Sequence, residues 1–470
     1  MPRTEDALHS AQQLRRVLQA RAPRTLAQLT QMVAVPSVSW AGFDPEHLEA
    51  SAALVDALCE ETGVFEQVHV LRHQAGAPAV IARREPAPGK PTVALYAHHD
   101  VQPAGGPDQW TSPPFEPVVR EGRLFGRGSA DDKAGIAVHL AAFSALGEVL
   151  GDELGLGLVA FIEGEEECGS PSFEGFLAEY ADLLRSDLII VADSDNPSTT
   201  IPALTTSLRG NVTAVLRVST LDHPVHSGMF GGAAPDAMMA LVRVLDSFYD
   251  ERGALQIDGL ARMPGGAAGE SMRLGPEAGV LPGVGEIGHG SVADRLWRQP
   301  ALTITGVEAP PIDQASNTLL AQARAKISLR VAPGDQARSA LEALRAHIEA
   351  HVPYGAHWSL DDVSLGEPFV QSLDSLAGEL ATAALEAGFG RPATEQGVGG
   401  SIPFISQLQQ AFPHAHVLVT GVEDPDTRAH SPNESLDLGV FWRQALSEAV
   451  LLLELNRRER SDFLDDGVVG

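Results

Sequence analysis

The pattern of apolar positions changes character twice along the chain and divides it into three stretches. In the first stretch, continuous apolar runs end in polar residues, as expected for strands buried on both faces of a sheet, and helical patterns separate them. Strands that alternate with helices in this order predict a parallel or mixed sheet flanked by helices. The predicted strands are 67–71, 79–83, 91–100, 156–162 and 188–192, the helices are a region ending near 35, 45–61 and 133–150, and a glycine-rich turn falls at 122–128.

The second stretch begins near residue 207, where polar and apolar residues alternate as they do in half-exposed strands. Beyond residue 369 the buried patterns return. We therefore predict a discontinuous α/β domain, residues 1–207 and 369–470, interrupted by a smaller α+β domain, residues 208–368. The predicted elements of the second stretch are strands at 211–219, 325–331 and 357–364, helices at 235–249 and 336–351, and an irregular Gly- and Pro-rich segment at 262–292; those of the third are helices at 373–387 and 438–457 and a strand at 415–420.

Composition agrees with two domains and excludes several classes of partner. At 470 residues the chain is too long for one hydrophobic core. With 62 acidic residues against 33 basic ones, its formal charge of −29 argues against nucleic acid or an anionic membrane as a partner. Cys59 and Cys168 are too few for a disulfide framework, and no apolar run has the form of a signal peptide or a membrane span. We expect a cytoplasmic protein.

The residues that carry chemistry fall at or just beyond the predicted strands, or at a glycine turn. In an open α/β sheet the carboxyl ends of the strands open onto one crevice, so residues far apart in sequence can meet there. Two imidazoles and several carboxylates at one place indicate a pair of divalent metals and a hydrolytic water, and the absence of thiolate favours Zn, Mn or Co. The residues concerned are His98, Asp100, Asp131, Glu166, Glu167, Asp195 and His430.

Local geometry suggests how these residues divide the work. Side chains alternate along a strand, so His98 and Asp100 point the same way, one as a ligand and the other as the carboxylate that fixes its tautomer. Asp131, near the start of a predicted helix, could bridge two cations, although helix capping would also explain it. Of the adjacent Glu166 and Glu167, one could ligate a metal while the other activates water. Acidic runs are, however, usually solvated loops.

From about residue 25 to about residue 460, the chain resembles the dinuclear zinc metallopeptidases that include carnosinase-like dipeptidases, aminoacylase, acetylornithine deacetylase and succinyl-diaminopimelate desuccinylase. Five motifs, which occur in the family's order, carry the resemblance. The motifs are Tyr96-Ala-His-His-Asp-Val-Gln-Pro103, Gly126-Arg-Gly-Ser-Ala-Asp-Asp-Lys133, Glu163-Gly-Glu-Glu-Glu-Cys-Gly-Ser170, Ser194-Asp195-Asn196 and Ala429-His430-Ser431. The resemblance implies metal ligands at His98, Asp131 (shared), Glu167, Asp195 and His430, with Asp100 supporting the first histidine and Glu166 as general base.

Three further segments resemble the segments that contact substrate in proteins of the same family. The resemblance implies that His226 reaches into a partner subunit's site as an oxyanion stabiliser, across a homodimer formed through the inserted lid/dimerisation domain. It implies that Arg330 binds the terminal carboxylate of the substrate, and that Gly400 and Ser401 line the same pocket. An exposed histidine, a strand arginine and a plain turn would explain each residue taken singly.

The hypothesis with most support is a metal-dependent dipeptidase. It would hydrolyse the amide bond next to a free C-terminal carboxylate with a water bridging two divalent metals, Zn or alternatively Mn or Co. The form of residues 223–232 and the long insert favour the dipeptidase branch, and N-acyl-amino-acid deacylation is the alternative within the hydrolases. Retention of Glu166 and of every ligand argues against a non-catalytic metal-binding homologue, and the motif order argues against a structural interaction protein. Two departures from the family pattern, Ala97 and Cys168, remove no ligand.

Overall fold

A computed structural model describes residues 4–265, 274–275, 278–400 and 403–464, which form two compact units. The first unit comprises the residues up to Thr206, Gln371–Glu395 and the residues from Gln407 onward, and the second comprises Ser207–Val370 and Gln396–Ser406. The predicted domain boundaries give all of 369–470 to the first domain. The structure places 396–406 with the second unit instead, where the carbonyl of Val398 accepts a hydrogen bond from the N–H of Arg209 (3.4 Å).

The regular elements are numbered here in chain order. The helices are α1 (Thr4–Val33), α2 (Glu46–Thr62), α3 (Lys133–Leu150), α4 (Phe173–Leu184), α5 (Ser227–Phe230), α6 (Ala237–Ser247), α7 (Ala337–His351), α8 (Leu376–Phe389), α9 (Pro403–Ala411) and α10 (Leu438–Asn456). The strands up to the second unit are β1 (Gln67–Leu71), β2 (Ala79–Arg84), β3 (Thr92–His98), β4 (Val118–Arg120), β5 (Arg123–Phe125), β6 (Gly157–Glu163), β7 (Leu188–Val191) and β8 (Ala203–Leu208). The later strands are β9 (Gly210–Ser219), β10 (Val225–His226), β11 (Ala301–Glu308), β12 (Thr318–Leu319), β13 (Gln322–Val331), β14 (His357–Gly366), β15 (Phe369–Val370), β16 (Thr394–Val398), β17 (His416–Val419) and β18 (Ser435–Asp437).

The first unit is built on a mixed sheet with the strand order β1-β2-β6-β3-β7-β17-β8. Its middle strands β6, β3, β7 and β17 are parallel, whereas β1, β2 and β8 pair antiparallel. Every residue of β3, β6 and β7 is buried, because helices such as α3, which packs between α1 and α10, cover the apolar strands. The predicted mixed sheet flanked by helices is confirmed.

The second unit has its own core and an antiparallel sheet, β11-β13-β9-β14. Buried and half-buried residues alternate strictly along β9, as the sequence pattern predicts. The buried faces of α6 and α7 pack against this sheet. The predicted α+β character of the insert therefore agrees with the fold of this unit.

One local prediction was wrong. The glycine-rich segment 122–128 is not only a turn, because it contains β5, which pairs with β4 on one side and with β18 on the other. Three residues are too few to show a strand periodicity in the sequence. The pairing matters for the site, because it ties the segment before α3 to the last part of the chain.

In the described part of the chain, one helical stretch, Lys133–Glu153, is long and apolar enough to cross a membrane by composition alone. Its apolar window is 72% buried inside the protein. Burial on this scale is what the core helix of a sheet-based domain requires, and α3 fills that place in the first unit.

Candidate metal centre

His98, the last residue of β3, is the most buried of the candidate ligands and is oriented by two carboxylates. Its Nδ1 lies 3.3 Å from Oδ1 of Asp100, and its Nε2 lies 3.1 Å from Oδ1 of Asp131. Burial lowers the pKa of His98, but the hydrogen bonds with the two carboxylates outweigh it and leave the pKa well above its usual value. The arrangement is that of a ligating imidazole whose other nitrogen is held by an acid.

Asp100 also organises the loop after β6. Its Oδ1 accepts a hydrogen bond from the N–H of Glu166 (3.2 Å), and its Oδ2 accepts one from the N–H of Glu167 (3.0 Å). One buried carboxylate therefore fixes His98 and the two glutamates relative to each other. These contacts are the ones that the predicted supporting role of Asp100 requires.

Asp131 lies between the two histidines. While its Oδ1 faces His98, its Oδ2 lies 3.0 Å from Nε2 of His430, and the same nitrogen lies 3.2 Å from Oε2 of Glu167. Hydrogen bonds with Asp131 and Glu167 raise the pKa of His430 to about 11. The alternative explanation, a helix cap, does not apply, because α3 begins after Asp132 without a side-chain capping bond.

Two groups of donor atoms share Asp131. The ligand atoms of His98, Asp131 and Asp193 lie within 4.8 Å of one another, and so do those of Asp131, Glu167 and His430. Imidazole nitrogen and carboxylate oxygen without thiolate is a donor set that suits Zn, Mn or Co. A carboxylate common to both groups could serve one cation with each oxygen.

The structure brings Asp193, not Asp195, to His98 and Asp131. Both acids follow β7, but Asp195, the ligand expected from the sequence, is exposed and belongs to neither donor group. Its backbone instead forms a β-bridge with Glu423, in the loop after β17. The two acids lie two residues apart after the same strand, so strand periodicity gives no signal that separates Asp193 from Asp195.

The carboxylates of the site are held together against their mutual repulsion. Burial is the main cause that raises the pKa of Asp193, to about 7, and Asp131 and Glu167 raise it further. Burial likewise raises the pKa of Glu166 well above its usual value. Acids crowded in this way are favoured in their ionised form by a bound cation, which is an electrostatic reason for metal at this place.

Gln102 is a supporting residue that the sequence analysis missed. Its side-chain Nε2 donates to Oε2 of Glu167 (2.7 Å), and its backbone N–H donates to Oε1 of the same carboxylate (3.1 Å). Glu167 therefore has both oxygens oriented by one residue. The motif around His98 continues to Gln102 in the sequence, but the pattern alone gives no contact with a residue 65 positions away.

The remaining candidates belong to the second unit. His226 is exposed, and its Nδ1 accepts a hydrogen bond from the N–H of Gly228 (3.0 Å). Arg330 is half-buried on β13, and Gly400 is half-buried after β16. Ser401 lies outside the described residues.

Arg209 is a buried arginine in the same unit, and it is not among the residues predicted from the sequence. It donates to the backbone carbonyls of Gly399 (3.1 Å), Arg295 (3.3 Å) and Gln299 (3.4 Å). Burial, and then the neighbouring charge of Arg330, lower the pKa of Arg209 to about 10. The two positive charges lie close enough to favour an anionic group near them.

Comparison with known proteins relates the whole chain to peptidases. The sequence model of Peptidase family M20/M25/M40 matches residues 94–453. The chain is 37% identical to the cysteinylglycine-S-conjugate dipeptidase of Corynebacterium striatum over 87% of its own length and 91% of that protein. It is 27% identical to the Beta-Ala-His dipeptidase of Homo sapiens over 80% of its length and 77% of that protein.

Solved structures give the same picture of the fold. The di-peptidase Dug1p from Saccharomyces cerevisiae superposes with a TM-score of 0.75 at 24% identity, covering 96% of this chain and 99% of that one. Human carnosine dipeptidase 1 superposes with a TM-score of 0.78 at 23% identity, covering 95% of this chain and 99% of that one.

The two aspartates after β7 provide a matched test of the ligand set. We expect Asp193→Asn to weaken binding of Zn²⁺ or Mn²⁺ by at least the roughly 10–100-fold seen when a residue that only supports a ligand is lost. Asp195→Asn should leave it unchanged, since Asp195 lies in neither donor group. Calorimetric titration of the metal-free proteins measures both affinities. If only Asp195→Asn weakened metal binding, Asp195 would be the ligand, as the sequence predicts, and Asp193 would not.

Proposed function

The chain belongs to Peptidase family M20/M25/M40, and we propose that it is a metal-dependent dipeptidase. The observation that carries the proposal is the position of Asp131 between His98 and His430, with the two glutamates of the loop after β6 beside them. Both relatives described above are dipeptidases by name, which supports dipeptides as the substrate class.

We propose a division of roles among the ligands. His98 and Asp193 would hold one divalent ion and Glu167 and His430 would hold the other, with Asp131 as a ligand available to both. We propose Zn as the metal, with Mn or Co as alternatives that the same donors accept. Such a metal pair, when bound, supplies Lewis acidity for the scissile carbonyl and lowers the pKa of water.

Glu166 is the residue we assign as general base. It is half-buried beside Glu167 but belongs to neither donor group, and burial keeps the pKa of its carboxyl high. A base with a raised pKa can take the proton of the attacking water and then give it to the departing amine. The carboxylate of Asp100 accepts a hydrogen bond from the backbone N–H of Glu166 and thereby fixes the backbone from which the Glu166 side chain extends.

The second unit supplies the groups that recognise substrate in this proposal. Arg330 binds the free C-terminal carboxylate through its guanidinium fork, and the loop at Gly400 lines the same pocket. Arg209 holds the carbonyl of Gly399 in that loop and adds a second positive charge. His226 donates to the developing oxyanion from the partner subunit of a homodimer, with the second unit as the lid and dimerisation domain.

The location follows from the chemistry of the chain. We propose a cytoplasmic enzyme with no nucleic-acid or membrane partner. Cys59 and Cys168 are both free thiols, which a reducing compartment maintains. The excess of acidic residues repels polyanions.

A substrate panel tests the reaction class. We expect hydrolysis of dipeptides, including Cys-Gly, an S-conjugate of Cys-Gly and β-Ala-His, to exceed hydrolysis of N-acetyl and N-succinyl amino acids. A chelator should abolish the activity, and added Zn²⁺ or Mn²⁺ should restore it, because the donor groups consist of histidine and carboxylate ligands that accept either ion. Amine release measured by mass spectrometry decides the outcome. A preference for N-acyl amino acids would identify a deacylase instead, and no turnover with metal bound would identify a non-catalytic homologue.

Replacing the general base should separate chemistry from metal binding. We expect Glu166→Gln to lower kcat by about 10²–10⁴-fold, the range typical of losing a positioned acid–base group. Its metal content should equal that of the unaltered protein, because Glu166 is not in a donor group. Steady-state kinetics and elemental analysis of the same preparation measure both. Near-normal kcat would remove Glu166 from the mechanism.

Mixing two variants tests whether His226 acts across a dimer. His226→Ala and Glu166→Gln should each be nearly inactive alone. After reversible dissociation and mixing, each heterodimer would contain one site with both residues intact, so roughly a quarter of normal activity should return from random pairing. A mixture no more active than its components would place His226 within its own subunit's site or outside the mechanism. A monomer in analytical ultracentrifugation would remove the dimer from the proposal.

A further inference from the structure

A fully buried glutamate outside the proposed donor set connects two of the ligand-bearing segments. Glu434 is 0% exposed, and its carboxylate accepts four hydrogen bonds. Oε2 accepts from Nη1 of Arg127 (2.7 Å) and from the N–H of Gly128 (3.0 Å). Oε1 accepts from the N–H groups of Ala130 (3.0 Å) and Asp131 (3.2 Å). The last of these donors belongs to the aspartate that both donor groups share.

The same glutamate lies in the segment that carries His430. This histidine precedes Glu434 by four residues, has a left-handed backbone (φ 58°), and its side chain is 60% exposed, so packing around the ring does little to fix it. The backbone carbonyl of Glu434 accepts from the N–H of Gly126 (3.1 Å), and that of Ser431 accepts from Nη2 of Arg127 (3.5 Å). Residues 126–131 and 430–434 are therefore joined side by side, with Glu434 as the principal link.

We propose that Glu434 is a positioning residue that sets the placement of His430 relative to Asp131, and so determines how tightly the donor group of Asp131, Glu167 and His430 binds a divalent cation. The proposal rests on the proposed function, because it requires that group to be a metal site. The other donor group takes its remaining ligands from the end of β3 and the segment after β7, whereas the hydrogen bonds of the Glu434 carboxylate all go to residues 127–131. The effect should therefore fall mainly on one of two sites.

A carboxylate is needed at this position for a geometric reason. Both oxygens of Glu434 face only hydrogen-bond donors, two on each side. An amide in either orientation would turn its NH₂ group toward two N–H donors and leave them without an acceptor. Arg127, only 1% exposed, would also lose its charge partner. Glu434→Gln preserves the size of the side chain and removes the function we assign to it.

The experiment is a calorimetric titration of metal-free protein with Zn²⁺, repeated with Mn²⁺, for the unaltered chain and for Glu434→Gln. We expect one of the two sites to lose affinity by about 10–100-fold and the other to change by less than about threefold, as is typical when a group that orients a ligand is replaced. Excess metal should recover much of the lost kcat, because the ligands themselves remain.

A half-buried carboxylate elsewhere in the first unit provides the control. Asp187 accepts from the N–H of Thr92 (2.9 Å) and from Nε of Arg460 (2.8 Å), and it lies at the start of β3 and β7 rather than at their carboxyl ends. Both Asp187→Asn and Glu434→Gln should lower the midpoint of denaturant unfolding, but Asp187→Asn should leave both metal affinities unchanged. If Glu434→Gln does not fold, Arg127→Met removes one of the four donors, and it should weaken the same single site by a smaller factor.

Each outcome decides between distinct readings. Loss of affinity at one site in Glu434→Gln, with none in Asp187→Asn, supports the positioning role. Equal losses at both sites, or unchanged affinities with lowered stability, would overturn it and leave Glu434 as a purely structural residue. If the unaltered protein takes up no metal, the proposed function fails with it. If the unaltered protein binds metal and hydrolyses dipeptides while Glu434→Gln binds equally well, only this inference fails.

Discussion

Repulsion among buried carboxylates is the constraint on which the first unit depends. Asp131, Asp193 and Glu167 bring negative charge to one end of the sheet. Burial and the neighbouring carboxylates raise the pKa of Asp193 and Glu167, whereas hydrogen bonds with His430 and His98 outweigh burial and hold the pKa of Asp131 well below its usual value. Oriented hydrogen-bond donors stabilise these carboxylates and their neighbour Asp100. Two backbone N–H groups donate to Asp100, the side-chain amide of Gln102 donates to Glu167, and two imidazoles lie beside Asp131. These contacts fix the geometry, and a bound divalent cation would offset the negative charge of the carboxylates.

Much of this arrangement could be predicted from the sequence because it follows from strand periodicity. His98 and Asp100 share a side because alternate residues of a strand do, and the acids after β6 and β7 meet because parallel strands end at one edge. The choice between Asp193 and Asp195 could not be made this way. Two acids at positions i and i+2 after a strand have the same parity, and only the bridge to Glu423 separates them.

Contacts between distant segments account for the other features that the sequence did not reveal. Glu434 reads in sequence as one more acid in a loop, and its four donors come from a segment about three hundred residues earlier, as the separation of 303 between Glu434 and Asp131 shows. Likewise, Val398 and Gly399 come after a helix of the first unit in the sequence, but their carbonyls accept hydrogen bonds from Arg209 at the start of the second unit, to which they belong. Local patterns carry no signal for such pairings, whose partners are set by topology.

The place of β17 in the sheet has a consequence for how the protein is made. A ribosome delivers β7 and β8 long before β17, the strand that lies between them. Until residue 416 and those after it emerge, the first unit has a gap in the middle of its sheet and lacks His430, whereas residues 207–370 of the second unit are already available to fold. A nascent or truncated chain would therefore expose apolar strand edges, the kind of surface that promotes aggregation, and would lack a complete site.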